Sequence, residues 1–336
     1  MASRSVEDGE LRMSVAERWL KPNGPPVGST FGARLLKDDD DVFDHNAWSN
    51  PVAEDVRDKY NDQPANYWDK FYSTHEDGFF KDRGWLRLEF PELIACSEAE
   101  AGPKTVLEVG CGAGNTVFPL LMRNENPSLT IYATDYSATA INVVKANKMY
   151  PRAEHGKGVI HASVWDITSK PLASSSTTTK HSSKEHSPTY SLPDGILPGT
   201  VDVISVIFVL SALHPREWEQ TIHNLYTALA PGGLLLIRDY GRHDLAQLRI
   251  KKNRLLDPDT PNLYIRGDGT RVYFFEKEEL EDMLVQSPLG STEIQEQGKK
   301  MFAIEQLGED RRLLVNRKER LTMYRIWMQV KARKLS

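Results

Sequence analysis

The sequence predicts an α/β fold built on a doubly wound, mostly parallel sheet. Three observations predict it. The apolar run Thr105-Val-Leu-Glu-Val109 enters a loop with glycines at 110, 112 and 114, then a helix-like segment. Two later apolar runs, 130–135 and 159–166, each end in a carboxylate, Asp135 and Asp166. Further apolar runs at 201–210 and 233–240 alternate with helix-like stretches. Strands that read as continuous apolar runs belong in a parallel sheet covered by helices on both faces.

The chain of 336 residues is long enough for one large domain with extensions. Residues 1–30 are polar, carry Lys21-Pro-Asn-Gly-Pro-Pro26, and are expected to be disordered. An N-terminal extension follows at 31–66, mixing aromatics with the acidic run Asp38-Asp-Asp-Asp41. The main domain is expected over 67–336. It opens with the aromatic-rich stretch 66–90, in which Trp68 and Tyr72 share a face if the segment is helical. Core packing is the default for such residues. Interleaved with Lys81, Arg83 and Arg87, they also suit a surface that stacks bases and meets phosphates.

Strands are expected at 105–109, 130–135, 159–166, 201–210 and 233–240, with helices near 115–124, 137–149 and 215–230. Pro231-Gly-Gly233 reads as the turn that ends the last of these helices. The Ser/Thr-rich stretch 170–195 reads as a low-complexity insertion. Its composition cannot build a core, so replacing 172–194 with a Gly/Ser linker is expected to leave turnover within a few-fold. Strand-like runs near 291–297 and 322–330 are expected to close the sheet edge as an antiparallel hairpin. From Arg311 onward nine basic residues face a single acid, Glu319. In a chain of net charge −5 this is a local positive patch. It reads either as a solvated helix face or as a phosphate-contacting surface, with Arg311, Arg312, Arg317 and Lys318 its first members.

Only Cys96 and Cys111 occur, so neither a metal site nor a disulfide framework is expected. The N-terminus lacks an apolar signal core, and the longest apolar run is too short to span a bilayer. A soluble, cytoplasmic protein without a membrane partner is expected, with the nucleus also admitted.

The glycine loop admits two cofactors. A dinucleotide fingerprint is G-x-G-x-x-G with a pyrophosphate on the helix N-terminus. Here the spacing is G-x-G-x-G, and Glu108 stands two residues before the first glycine. A carboxylate there is awkward beside a pyrophosphate and suits an ammonium and a sulfonium. Asp135 is placed to take a ribose and Asp166 an adenine amino group. Glu108, Gly110, Gly112, Asp135 and Asp166 thus favour S-adenosylmethionine over a nicotinamide or flavin dinucleotide.

Several longer motifs then carry a resemblance. These are Tyr67-Trp-Asp-Lys-Phe-Tyr72, Phe79-Phe-Lys-Asp-Arg-Gly-Trp85, Leu107-Glu-Val-Gly-Cys-Gly-Ala-Gly-Asn115, Leu210-Ser-Ala-Leu-His-Pro215, Arg238-Asp-Tyr-Gly241 and Tyr264-Ile-Arg-Gly-Asp-Gly-Thr-Arg-Val-Tyr-Phe-Phe275. Over about 31–330 the chain resembles the eukaryotic tRNA N3-methylcytidine methyltransferases. The N-terminal Phe31-Gly-Ala-Arg34 and Asp44-His-Asn-Ala-Trp48 resemble the threonine-tRNA-type branch. The resemblance implies a Rossmann-like class I methyltransferase sheet with an N-terminal RNA-binding extension. It implies methylation of cytidine 32 in the anticodon loop of threonine or serine tRNAs. It also implies cofactor contacts from Trp68, Tyr72, Gly110, Asp135, Asp166, Ile167 and Ile207. The tRNA anticodon stem-loop is then the partner, with an aminoacyl-tRNA synthetase or other helper protein allowed.

Cytosine N3 already carries an in-plane lone pair, so the reaction needs alignment more than a strong base. A carboxylate near the cytosine amino group would stabilise the charge that develops on the base. Asp82 and Asp239 are the candidates. Arg83 and Lys81 are expected to grip phosphate or the cytosine O2. The alternatives are a methyltransferase acting on another RNA, a protein or a metabolite, and a noncatalytic RNA-binding scaffold.

Overall fold

Seven strands lie side by side in the order 159–164, 129–135, 104–109, 201–207, 229–240, 321–334 and 302–316 in a computed structural model of the chain. The structure describes residues 51–75, 82–150, 158–170, 190–285, 300–316 and 321–335. The expectations for 1–50, Lys81, most of the 170–195 insertion, the 291–297 run, Arg317 and Lys318 lie outside the described residues.

Strands β1 (Lys104–Val109), β2 (Leu129–Asp135), β3 (Val159–Val164), β4 (Val201–Ile207) and β5 (Leu229–Tyr240) pair in parallel. The two long strands β9 (Phe302–Asn316) and β10 (Leu321–Lys334) form an antiparallel hairpin against β5. The closing hairpin is present, and its first strand begins at Phe302. The described part of the basic tract therefore rides on a β-ribbon and not on a helix face.

Period-two alternation divides the core. Leu107 and Val109 face one side with Ile204, Val206, Leu235 and Ile237. Packed there are Ile222 and Leu225 of the helix Pro215–Ala228 and Leu280 and Leu284 of the helix Lys277–Val285. Val106, Ile131, Ala133 and Val203 face the other side. They meet Phe118 and Leu121 of the helix Val117–Arg123 and Ile141 and Val144 of the helix Ala138–Ala146. Helices on both faces explain why the central strands β1 and β4 bury side chains of both faces.

Two strand ends fall short of their expected positions. β4 stops at Ile207 because Phe208 takes a left-handed φ of 60°, which no strand accommodates. β3 stops at Val164, leaving Trp165 and Asp166 in the following loop. Conversely, β5 starts early. Pro231-Gly-Gly233 lies inside its span, where Gly232 at φ 75° shifts the register against β4. The helix before it has already ended at Ala228.

A second sheet, absent from the sequence reading, holds β6 (Leu255–Asp257), β7 (Thr260–Ile265) and β8 (Arg271–Tyr273). The described end of the N-terminal extension docks on it. The Val52 N–H donates to the Leu255 carbonyl at 2.7 Å, and Arg57 pairs with Asp257 at 3.4 Å. The extension continues through the helix Glu54–Asp62 into the helix Pro64–His75. Among the described residues no helix is long and apolar enough to cross a membrane.

Candidate cofactor site and its acidic wall

A cavity of about 260 Å³ opens at the carboxyl ends of β1–β4. It is lined by Asn61, Asp62, Trp68, Tyr72, Arg83, Gly110, Asp135, Tyr136, Trp165–Thr168, Ile207–Val209, Leu213, Glu217 and Arg271, among others. This is where a doubly wound sheet places its ligands, because the loops leaving adjacent strands part there.

The glycine loop forms the floor. Gly110 and Gly112 have φ of 64° and 54°, a region that favours glycine. A Cβ at Gly110 would stand 2.3 Å from Val209 Cγ2, and one at Gly112 would stand 2.4 Å from Tyr72 Oη. Both positions therefore need glycine for conformation and for space. Tyr72 is buried, and its ring stacks on Trp68 with centroids 6.3 Å apart. Asp69, on the same helix, accepts from Ser137 Oγ at 2.5 Å and from the Thr139 N–H at 3.1 Å. That clip fastens the aromatic helix to the N-terminus of Ala138–Ala146 and so fixes the aromatic wall over the glycines.

Asp135 ends β2 and lines the cavity. Its carboxylate accepts from the Gly112 N–H at 2.9 Å and the Ser137 N–H at 2.8 Å. Burial pushes this carboxyl up to about 6, against the pull of those amides. Asp166 accepts from the Thr168 N–H at 2.8 Å and Thr168 Oγ1 at 2.7 Å, both on Oδ1. Glu108 does not line the cavity. It lies wholly buried beneath the loop, accepting from Arg83 Nη1 at 3.1 Å and from the Val117 N–H at 3.2 Å. Burial pushes its carboxyl up to about 7, with Arg83 pulling the other way.

The expected catalytic residues are dispersed. Arg83 lines the cavity, held by Glu108 and by Thr116 Oγ1 at 2.8 Å. Asp82 is exposed, with Asn115 Nδ2 at 3.5 Å. Asp239 is not among the lining residues. It is fully buried, accepting from the Ser211 N–H at 2.9 Å and the Tyr240 N–H at 2.8 Å, and burial raises its carboxyl to about 6. Most described basic residues of the hairpin answer acids, while Lys334 donates to the Tyr226 and Leu229 carbonyls. Arg311 pairs with Glu309, Arg312 with Glu89 at 2.5 Å and Asp310 at 2.8 Å, and Lys331 with Glu92 at 2.6 Å.

Sequence reasoning missed Asn61, Trp165, Phe208, Glu217 and Arg271. Arg271 forms a buried pair with Glu217 at 3.0 Å, and Glu217 also closes a capping box on His214. His214-Pro-Arg-Glu217 was the legible signal for that box.

The cavity suits S-adenosylmethionine. Both of its lining arginines are answered by carboxylates, while Asp62, Asp135 and Asp166 add further negative charge. That field favours an amino group, ribose hydroxyls and a sulfonium, and opposes a pyrophosphate. Two buried polar atoms of lining residues, the acceptor Asn61 Oδ1 and the donor Trp165 Nε1, have no partner among the described residues. Buried polar atoms in this position call for a ligand bearing both donors and acceptors. Among the described residues no group of side chains could hold a metal ion.

The raised Asp135 carboxyl gives two pH effects of opposite sign. Its folded value of about 6 exceeds the ordinary 3.8. Its contribution to stability is therefore fully present below about 4 and is lost as pH rises toward 6. On the expectation that Asp135 takes the ribose, whose hydroxyls favour the ionised form, cofactor affinity should fall as pH drops through about 6. Calorimetric titration across pH 5–8 checks this, and Asp135→Asn is expected to flatten the profile.

A family model described as a methyltransferase domain matches residues 83–287. The tRNA(Thr) (cytosine(32)-N(3))-methyltransferase of Saccharomyces cerevisiae is 42% identical over 89% of this chain and 45% of its own length. The tRNA N(3)-methylcytidine methyltransferase trm140 of Schizosaccharomyces pombe is 42% identical over 92% of this chain and 93% of its own. The tRNA N(3)-cytidine methyltransferase METTL2 of Danio rerio is 38% identical over 91% of this chain and 89% of its own. The chain thus spans less than half the length of the first relative and most of the other two. The chain belongs to the tRNA N3-methylcytidine methyltransferase family.

Proposed function

We propose that the protein is an S-adenosylmethionine-dependent tRNA methyltransferase that forms N3-methylcytidine at position 32 of the anticodon loop, in threonine or serine tRNAs. The observation that carries the reading is the acid-walled cavity over the glycine loop, in a chain with kinship across nearly its full length to trm140. When bound, the cofactor supplies an electrophilic methyl group on a sulfonium.

The protein's own residues bind and align. Asp135 takes the ribose hydroxyls, Asp166 the adenine amino group, and Ile167 and Ile207 cover the apolar faces. Trp68 and Tyr72 close the wall and exclude water. Asp239 acts by positioning. Its bond to the Ser211 N–H holds the turn after Phe208, and with it one side of the cavity. Cytosine N3 needs no base to deprotonate it, so orientation of the base is the main demand. The reacting edge is occupied in a paired helix, so the target must be splayed from a loop. Arg311, Arg312, Arg317, Lys318 and Lys81 are proposed to meet the tRNA backbone. An aminoacyl-tRNA synthetase or similar helper protein is a compatible partner, and the cytoplasm, with the nucleus, the compartment.

Nucleoside mass spectrometry after incubation with unmodified tRNA and isotope-labelled cofactor tests this. Labelled N3-methylcytidine, lost when cytidine 32 is replaced by uridine, is the expected result. Label on another nucleoside, or cofactor binding with no labelled RNA, overturns the assignment.

A further inference from the structure

Beyond the cavity, Arg266 is a half-buried cation with no ion pair among the described residues. Phe208 lines the cavity, and its ring lies 4.8 Å from that of Tyr240. On Tyr240 the Arg266 guanidinium sits 5.2 Å from the ring centroid. Arg266 is thus two contacts from the cavity wall. All three side chains are half-buried.

Three nearby arginines are neutralised, while Arg254, whose Nη1 donates to the Arg266 carbonyl, makes no ion pair among the described residues. Arg325 pairs with Asp244 at 2.8 Å, Arg238 with Asp310 at 2.5 Å and Arg271 with Glu217 at 3.0 Å. Arg266 makes no ion pair among the described residues. The nearest acid in its own turn, Asp268, accepts from the Thr270 N–H and Oγ1 at 2.9 and 2.7 Å. Asp239 is close enough to feel the Arg266 charge, but its carboxylate is taken by the Ser211 and Tyr240 amides.

The backbone beneath Arg266 is fixed. Its N–H donates to the Thr270 carbonyl at 2.8 Å, and its own carbonyl accepts from the Gly269 N–H and from Arg254 Nη1, both at 3.0 Å. A guanidinium on a pinned turn, laid on an aromatic face, loses little freedom on binding an anion. Its planar fork matches a phosphate.

We propose that Arg266 grips the backbone phosphate of the nucleotide whose base enters the cavity past Phe208, with the Tyr240 ring holding the guanidinium in place. The ligand class is the phosphodiester of an extruded single-stranded nucleotide. The proposal rests on the RNA-methylating function above. Phe208 supports it independently, since a non-glycine residue at φ 60° holds its ring at the junction between cavity and cation.

The test compares wild type, Arg266→Ala and Arg266→Lys on tRNA at several salt concentrations, with calorimetric cofactor titration of each. Arg266→Ala is expected to raise KM for tRNA on the order of tenfold and to lower the log–log salt slope by about 0.7. Its kcat at saturating tRNA and its cofactor affinity should stay unchanged. Arg266→Lys should keep the salt slope while recovering only part of the KM. If Arg266→Ala does not melt cooperatively, Arg266→Gln takes its place with the same readouts. Unchanged KM and slope in a folded variant overturn this proposal, as does a loss confined to kcat or to cofactor affinity. If wild type forms no N3-methylcytidine, the function proposed above falls and this assignment with it. Methylation by wild type with an indifferent Arg266→Ala overturns this assignment alone.

Discussion

Asp135→Ala is expected to lower S-adenosylmethionine affinity about ten- to a hundredfold or more, since the one or two charge-assisted hydrogen bonds proposed to the ribose would be lost. The variant also orphans the Gly112 and Ser137 amides, which Asp135 holds at 2.9 and 2.8 Å. Each buried, unpaired amide costs about 1–3 kcal/mol. Binding and folding losses must therefore be separated. Asp135→Asn keeps a side-chain carbonyl for one amide and has nearly the same shape, so its melting temperature should fall less. Its affinity should still drop well below wild type, because a neutral acceptor replaces an ionised one. Calorimetry on both variants, at a temperature where each is folded, reads the result. Wild-type affinity in folded Asp135→Asn and Asp135→Ala would remove Asp135 from the cofactor site.

The parts of this site that the sequence made legible are those with a local signature. A glycine loop between an apolar strand and a helix announces both the strand end and the close approach there. Acids that follow apolar runs mark where neighbouring strands stop, and so Asp135 and Asp166 could be placed without coordinates. Other wall residues come from afar. Asn61 arrives on a helix that precedes the sheet, and Arg271 on a short strand of the second sheet. No spacing rule links them to residue 110. The second sheet itself was hidden because its strands are three to six residues long. Glu108 shows the opposite failure. Its type and position read as a ligand contact, yet the structure turns it beneath the loop, toward Arg83. A sequence position fixes the strand end but not which of two opposite faces meets the ligand, since successive side chains alternate.

Arg83→Ala is expected to destabilise the protein by about 3–5 kcal/mol near pH 8, because it leaves the buried Glu108 carboxylate without its cation. The arginine side chain is 13% exposed and the glutamate 1%, so solvent screens the pair little. The sign of the pH dependence follows from Glu108. Its folded value, already pushed up to about 7 by burial, rises further once Arg83 is gone. A protonated carboxyl has no charge to compensate, so the deficit of Arg83→Ala should shrink as pH falls from 8 to 5. Adding Glu108→Gln should recover much of the loss at pH 8, since a neutral amide replaces the stranded charge. Melting curves of the wild type, both single variants and the double variant at the two pH values close the cycle. A phosphate contact would behave otherwise. Arg83→Ala would then melt like wild type at both pH values, Glu108→Gln would rescue nothing, and only tRNA affinity and its salt slope would fall. That outcome would move Arg83 from the foundation of the glycine loop to the RNA surface.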